Sequence, residues 1–224
     1  MMKQYTGNLK SVTLFSILKD DEIQAISKIT ILKSYDKNCI VFQEGEIGGS
    51  LYFILNGKVK ISLFDDEGKE YILDIIGKDG FFGELSLIDE LPRSANVITT
   101  ENSVFLVIQR KDFIKLLLEN PAISIGILKI LSRRLRSADE RIKGLAFLSV
   151  EGRVLKYLLD IGEKSGFRLK NHIIIENGPT QIEIANSCGS TRETVSRVLK
   201  VLIRKGAISV RRRQYTLHPS CNSI

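Results

Sequence analysis

Apolar residues return along this chain with two different periods. From Pro121 to Phe147, Leu128, Leu131, Leu135, Ala138, Ile142 and Leu145 recur at alternating steps of three and four, while Arg133, Arg134, Arg136, Glu140, Arg141 and Lys143 fill the other faces. Pro121 suits a first helical position, where a missing amide proton costs nothing, and no further Pro follows before Phe147. The spacing predicts one long helix with a coiled-coil seam, which one helix cannot bury and a second copy of the chain can. An amphipathic core helix is the plainer alternative, because only about three heptads are present.

Ahead of that helix the period shortens to two. Val59, Ile61 and Leu63 alternate with Lys58, Lys60 and Ser62, and Gly45, Gly57, Gly68 and Gly80 fall eleven or twelve residues apart. Turn signals at that interval predict an antiparallel roll or barrel, with a hairpin tip at Phe64–Lys69 and a further strand at Ser103–Gln109. Short helices are expected before it, from Leu9 to Lys33 with Asp20 and Asp21 as caps of a helix at Glu22, and after it at Asp112–Leu118.

Behind the long helix, Val154, Leu155, Leu158 and Leu159 predict another amphipathic helix, ended by Gly162–Gly166, and Ile173–Ile175 a short strand. Thr180 and Glu183 form a capping-box pattern that opens a helix over Gln181–Ser187. Cys188-Gly189-Ser190 makes a tight turn, and a second helix follows from about Thr191 to Arg204. On it Val195, Val198, Leu199 and Leu202 share one face, leaving Arg192, Glu193, Ser196, Arg197 and Lys200 outward. This is a helix-turn-helix pattern, whose second helix enters the major groove. Arg donates twice to guanine and Glu accepts from cytosine, so Arg192, Glu193 and Arg197 form a base-reading set. Alternatively, Glu193 caps its own helix together with Ser190. Two strands around Arg211-Arg212-Arg213-Gln214 make a wing with a basic tip, suited to phosphate. Thr180, Gln181, Thr191, Ser196, Lys200, Arg211 and Arg212 complete the candidate DNA surface.

Charge sharpens this division. Of 33 Lys plus Arg and 26 Asp plus Glu, residues 148–224 hold 13 and 6, so the whole excess of +7 lies in the last third, as a polyanion-binding region requires. Cys39, Cys188 and Cys221 lack metal-ligand spacing. No apolar run nears the ~18 residues that cross a bilayer, and the first ten residues do not read as a signal peptide, so a cytoplasmic protein without a membrane partner is expected. His172 and His218 lie far apart in sequence and no nucleophile–base pairing is legible, so no enzyme and no metal are expected.

One stretch of the roll does not follow strand logic. Gly80-Phe81-Phe82-Gly83-Glu84-Leu85-Ser86-Leu87 precedes Pro92-Arg93-Ser94-Ala95. Backbone amides at a short helix start, the planar fork of Arg93 and the Ser94 hydroxyl suit a phosphate. Glu84 is out of place beside an anion unless it accepts from a sugar hydroxyl.

Together these segments resemble the cyclic-AMP receptor protein/FNR family of bacterial transcription factors. The likeness runs from Phe82-Gly83-Glu84-Leu85-Ser86-Leu87-Ile88 and Leu91-Pro92-Arg93-Ser94-Ala95 through Glu151-Gly152-Arg153 to Ser190-Thr191-Arg192-Glu193-Thr194-Val195-Ser196-Arg197-Val198-Leu199. It implies an α+β chain with a cyclic-nucleotide-binding roll over 1–120, a dimerisation helix over 121–147 and a winged helix-turn-helix over 148–224. It implies a homodimer on double-stranded DNA, with Arg93 and Ser94 on the cyclic phosphate, Glu84 on the ribose, Gly83 at close backbone approach, and Leu85, Ala95 and Arg134 around them. Arg192, Glu193 and Arg197 carry the family's base-reading positions. Where the family's cyclic-AMP branch has Thr-Ser for adenine, this chain has Ala138-Asp139. Cyclic AMP is the expected ligand by family, cyclic GMP the rival and cyclic di-GMP less favoured. The resemblance also implies contact between Gly162–Phe167 and RNA polymerase. Iron–sulfur sensing is not expected, because the N-terminal cysteine cluster is absent.

Overall fold

A computed structural model describes residues 20–219. The apolar positions from Leu9 to Leu18, the side chains of Asp20 and Asp21, and Cys221 lie outside the described residues. The chain divides into two compact units, one of residues up to Leu63 with Ile72–Arg134, the other of Phe64–Tyr71 with Leu135 onward.

In the first unit, α1 (Asp20–Ile29) leads into β1 (Thr30–Tyr35), β2 (Ile40–Phe42), β3 (Ser50–Asn56), β4 (Val59–Phe64), β5 (Glu70–Ile76) and β6 (Phe81–Phe82). The single turn α2 (Leu85–Ile88), β7 (Asn96–Thr99), β8 (Ser103–Gln109), α3 (Arg110–Glu119) and α4 (Pro121–Phe147) follow, α4 passing into the second unit at Leu135. The strands make two four-stranded sheets, ordered β1-β8-β3-β6 and β2-β7-β4-β5. Strand β3 shows why the roll holds together. Leu51 and Phe53 point into a cluster with Ile23, Ile26, Phe113, Ile123 and Ile127 of the helices. Tyr52 and Ile54 point the other way, onto Phe42, Val59 and Val97 of the second sheet. Both faces of β3 are covered, so it reads as an unbroken apolar run where a half-exposed strand would alternate.

Two expectations need correction here. Thr30–Lys33 form strand, because β1 pairs with β8 from Thr30↔Ile108 to Tyr35↔Ser103. Alternation along β4 breaks at Ser62, which is fully buried although it points to the face opposite Val59, so both faces of β4 are covered at these positions. The hairpin tip does form: Asp65 Oδ1 accepts from the amides of Glu67 and Lys69 at 3.1 and 2.8 Å.

Helix α4 runs over the predicted span. Ile123 and Ile127 are buried in the core of the first unit, and Ile130 and Leu131 pack against it. Leu128, Leu135, Ile142 and Leu145 stay 44–65% exposed. The seam is therefore open in the single chain over most of its length.

The second unit carries α5 (Val150–Ser165), β9 (Phe167–Leu169), β10 (His172–Ile175), α6 (Gln181–Cys188), α7 (Arg192–Arg204), β11 (Ile208–Arg211) and β12 (Gln214–Leu217). Its sheet is ordered β11-β12-β10-β9. Val154, Leu158, Ile184, Val195, Leu199, Leu202 and Tyr215 form one core. Gly162–Ser165 belong to the last turn of α5 and Phe167 begins β9, so the loop expected over 162–167 shrinks to Gly166. A Cβ on Gly162 would stand 2.8 Å from Ile173, which explains a glycine inside that turn. The Phe64–Tyr71 tip groups with this unit, and Asn186 Nδ2 donates to Glu70 Oε2 at 2.9 Å.

Candidate functional site

Sequence reasoning singled out two sites, one in each unit. In the first, Phe81 and Phe82 anchor the cassette from β6 by filling opposite sides of the roll. The chain then turns at Gly83 with φ of 85°, where a side chain would also sit 2.7 Å from Arg93 Nη1 and 3.1 Å from the Ser50 carbonyl. Two constraints thus coincide on that glycine. Glu84 follows at the start of α2, 4% exposed, and its Oε1 accepts from Arg134 Nη1 at 2.7 Å. Arg134 also donates to the Phe81 carbonyl and lies 4.8 Å from the centre of the Phe81 ring. One buried carboxylate oxygen is therefore fixed and the other remains to accept.

Arg93 is 5% exposed. Its Nη1 donates to the Gly83 carbonyl at 2.7 Å and to Ser86 Oγ at 2.8 Å, and its Nη2 donates to the Ser50 carbonyl at 2.7 Å. The guanidinium stacks 4.0 Å over the Phe42 ring. Burial lowers its pKa from the ordinary value, opposed by the nearby Tyr52, Glu46 and Glu84. Ser94 is exposed and Ala95 buried, while Leu85 turns outward at 45% exposure. Gly83, Glu84, Arg93 and Arg134 are thus brought together. Ala138 and Asp139 are exposed on α4 in the second unit.

Sequence reading missed the rest of this shell. Phe42, Ser50 and Gly48 come from β2, β3 and the loop between them, and their spacing from Arg93 carries no motif. Ser86 lay inside the recognised stretch, but nothing in one sequence tells a hydroxyl facing a guanidinium from one facing solvent.

The second site begins with two capped helices. Thr180 Oγ1 accepts from the Glu183 amide at 3.2 Å while Glu183 reaches back to the Thr180 amide at 2.6 Å, the predicted capping box. Gly189 closes α6 with φ of 59°. Helix α7 is capped by Thr191, whose Oγ1 accepts from the Thr194 amide at 3.2 Å. Glu193 therefore occupies the second helical position, where it makes no capping box with Ser190, and the capping alternative is overturned. Arg192, Glu193, Arg197 and Lys200 are exposed, and Ser196 is half-buried. Among the described residues, Arg192, Glu193 and Lys200 make no hydrogen bond or ion pair, and Arg197 reaches only Thr194 Oγ1, at 3.4 Å. Gln181 is half-buried at the first position of α6.

Arg153 braces the motif from α5. Its Nε donates to the Cys188 carbonyl and its Nη1 to the Leu148 carbonyl, both at 2.9 Å, placing a cation at the C-terminus of α6. Glu151 pairs with Lys205 at 2.6 Å beyond the end of α7. Burial pushes the Cys188 thiol up to about 12, so it is an inert packing group. At the wing Arg211, Arg212 and Arg213 are all exposed, but Arg213 is tied to the chain, donating to the Gly178 and Asn177 carbonyls. The three arginines of the tip do different work.

No helix among the described residues is long and apolar enough to cross a membrane. Residues 32–120 match the cyclic nucleotide-binding domain family, and residues 152–219 the Crp-like helix-turn-helix domain family. The chain is similar to the CRP-like cAMP-activated global transcriptional regulator of Mycobacterium tuberculosis, 33% identical over 195 residues that cover 87% of each chain. It is 31% identical over 203 residues to the cyclic AMP receptor protein of Thermus thermophilus, covering 89% of each. Among solved structures, the c-di-GMP responsive regulator CLP of Xanthomonas campestris superposes with a TM-score of 0.77 at 25% identity, over 89% of this chain and 99% of that one. With both domain families matched in order and relatives aligned along most of its length, the chain belongs to the cyclic-AMP receptor protein/FNR family and is a ligand-responsive, DNA-binding transcription regulator.

Proposed function

We propose that the effector is a cyclic mononucleotide, cyclic AMP first, held by Gly83, Glu84, Leu85, Arg93, Ser94, Ala95 and Arg134. The observation that carries this reading is the pairing of a buried carboxylate having one oxygen open with a buried guanidinium nine positions later. A sugar hydroxyl donates to the first and a phosphodiester accepts from the second, so a molecule containing both groups satisfies the site. The Mycobacterium tuberculosis relative is cAMP-activated and the Thermus thermophilus one is a cyclic AMP receptor protein, which supports adenine as the base, whereas the Xanthomonas campestris regulator is c-di-GMP responsive, which keeps cyclic di-GMP as a less favoured alternative. Ala138 offers no side-chain hydrogen bond, while an ionised Asp139 accepts from adenine's amino group or from guanine's N1 and N2 protons, so cyclic GMP is the rival.

The regulator acts as a homodimer on double-stranded DNA. Leu128, Leu135 and Ile142 form its seam, and Arg192, Glu193 and Arg197 read bases in the major groove. Thr180, Gln181, Thr191, Ser196, Lys200, Arg211 and Arg212 contact the backbone around them. Ligand tied to α4 through Glu84 and Arg134 registers the two α4 helices and so sets the separation of the recognition helices, which two-fold symmetry fixes at about one DNA turn, ~34 Å. Calorimetric titration of the full-length protein with cyclic AMP, cyclic GMP and cyclic di-GMP tests the ligand. Saturable one-to-one binding of cyclic AMP per protomer, with tighter binding to a palindromic duplex, is expected. Binding of cyclic GMP alone transfers the base assignment to Asp139. A monomer at working concentration, both empty and saturated, overturns the dimer mechanism.

A further inference from the structure

Five N–H groups leave a guanidinium, and in Arg93 three are engaged by the protein: two on Nη1, to Gly83 O and Ser86 Oγ, and one on Nη2, to Ser50 O. A side chain built on Gly83 would approach both Nη1 and the Ser50 carbonyl, so these partners crowd together at the glycine. Nε–H and the second Nη2–H have no protein acceptor among the described residues. That pair of parallel donors is the edge that grips two oxygens of one phosphate. The one side-chain acceptor in the arrangement is Ser86, 3% exposed. It lies against Gly48, where a Cβ would fall 2.0 Å from Ser86 Oγ and 3.1 Å from Arg93 Cζ, so no side chain at that position can coexist with this hydroxyl as placed.

We infer that Ser86 is a positioning residue for effector binding: its hydroxyl holds Nη1 and so turns the open edge of Arg93 toward the non-bridging oxygens of the ligand's phosphodiester. The inference rests on the cyclic-nucleotide reading above. Without Ser86 Oγ, the group keeps the Gly83 and Ser50 carbonyls and the Phe42 ring but loses its second hold on Nη1, so that proton competes for the ligand and the two-donor edge is aimed less closely. Ser86 acts through Arg93 and need not touch the ligand.

The test is a double-mutant cycle on the full-length protein, titrated calorimetrically with cyclic AMP. Ser86→Ala is expected to weaken binding about tenfold, the cost of one degraded charge-assisted pair, with the protein still folded and its melting temperature lowered by only a few degrees. Arg93→Lys weakens it further, and adding Ser86→Ala to Arg93→Lys then costs less than about twofold, because a point charge has no edge to aim. Ser86→Cys, which keeps a side chain but is a poor acceptor, should behave as Ser86→Ala. Wild-type affinity in Ser86→Ala, or an undiminished loss in the Arg93→Lys background, overturns the inference while leaving the ligand assignment standing. A wild-type protein that binds no cyclic nucleotide overturns the ligand assignment and the inference with it.

Discussion

Arg93 and Arg192 are both arginines proposed to meet phosphate or base, and their surroundings are opposites. Arg93 is 5% exposed with three protein hydrogen bonds and an aromatic ring beneath it. Arg192 is exposed in the first turn of α7 with no partner among the described residues. A small ligand contributes few contacts, so its site must be rigid beforehand, and burying a charge to achieve that requires protein acceptors around it. A duplex brings its own charge and many contacts, so the reading face can stay solvated until DNA arrives. Ligand sensing thus ties its charges into the fold, whereas DNA reading leaves them detachable from it.

The largest effect follows from Arg93→Leu. It should abolish ligand response while leaving a folded dimer, and it also costs stability, because Gly83 O, Ser50 O and Ser86 Oγ would all lose their donor in a buried place, at about 1–3 kcal/mol for each unsatisfied group. Cyclic-nucleotide binding should become undetectable by calorimetry, and the melting temperature should fall by several degrees. An unchanged melting temperature would show that Arg93 is as detachable as Arg192, and the contrast would fail.

Arg192→Ala should do the reverse. Specific operator binding is expected to weaken by about 1–3 kcal/mol, with preference relaxed at one base pair and thermal stability unchanged. Binding arrays of single-base operator variants check this. A uniform loss over all variants would make Arg192 a phosphate contact, and a fall in melting temperature would mean that it too is built into its domain.

The same contrast explains how much of each site was legible in the sequence. The DNA-reading half could be read closely because its logic is local. Capping by Thr180 and Glu183, the turn at Gly189 and the i, i+3, i+4, i+7 face of Val195, Val198, Leu199 and Leu202 are all relations between near neighbours. The ligand half gave up only its contiguous cassette. Its supporting shell comes from Phe42, Gly48 and Ser50, more than forty positions before Arg93, and register between distant strands is invisible to spacing. The same limit produced the error at Thr30–Lys33, whose strand character comes from pairing with β8. It produced the error at Ser62 too, since a two-residue period cannot show that a strand is covered on both faces. Arg211, Arg212 and Arg213 looked equivalent in sequence, and only the carbonyls of Asn177 and Gly178 set Arg213 apart.

Arg212 offers the smallest effect and the finest test of detachability. It holds φ of 56° at the wing turn, a conformation that costs a side-chain-bearing residue roughly 1–2 kcal/mol and glycine little. Its exposed side chain makes no hydrogen bond or ion pair among the described residues. A fold selected for stability alone would place glycine there, which supports the proposed contact of Arg212 with phosphate. Arg212→Gly is therefore expected to raise stability by up to about 1 kcal/mol, while each protomer gives up its hold on one phosphate. The slope of log affinity against log salt should drop by about 0.9 for each phosphate no longer neutralised, or roughly 1.8 for a dimer, similarly on specific and random duplexes. Thermal melts and salt titrations of the same preparation measure the two changes. Opposite signs sustain the separation of reading from folding, whereas a loss of stability would place Arg212 with Arg213 among the residues that build the wing.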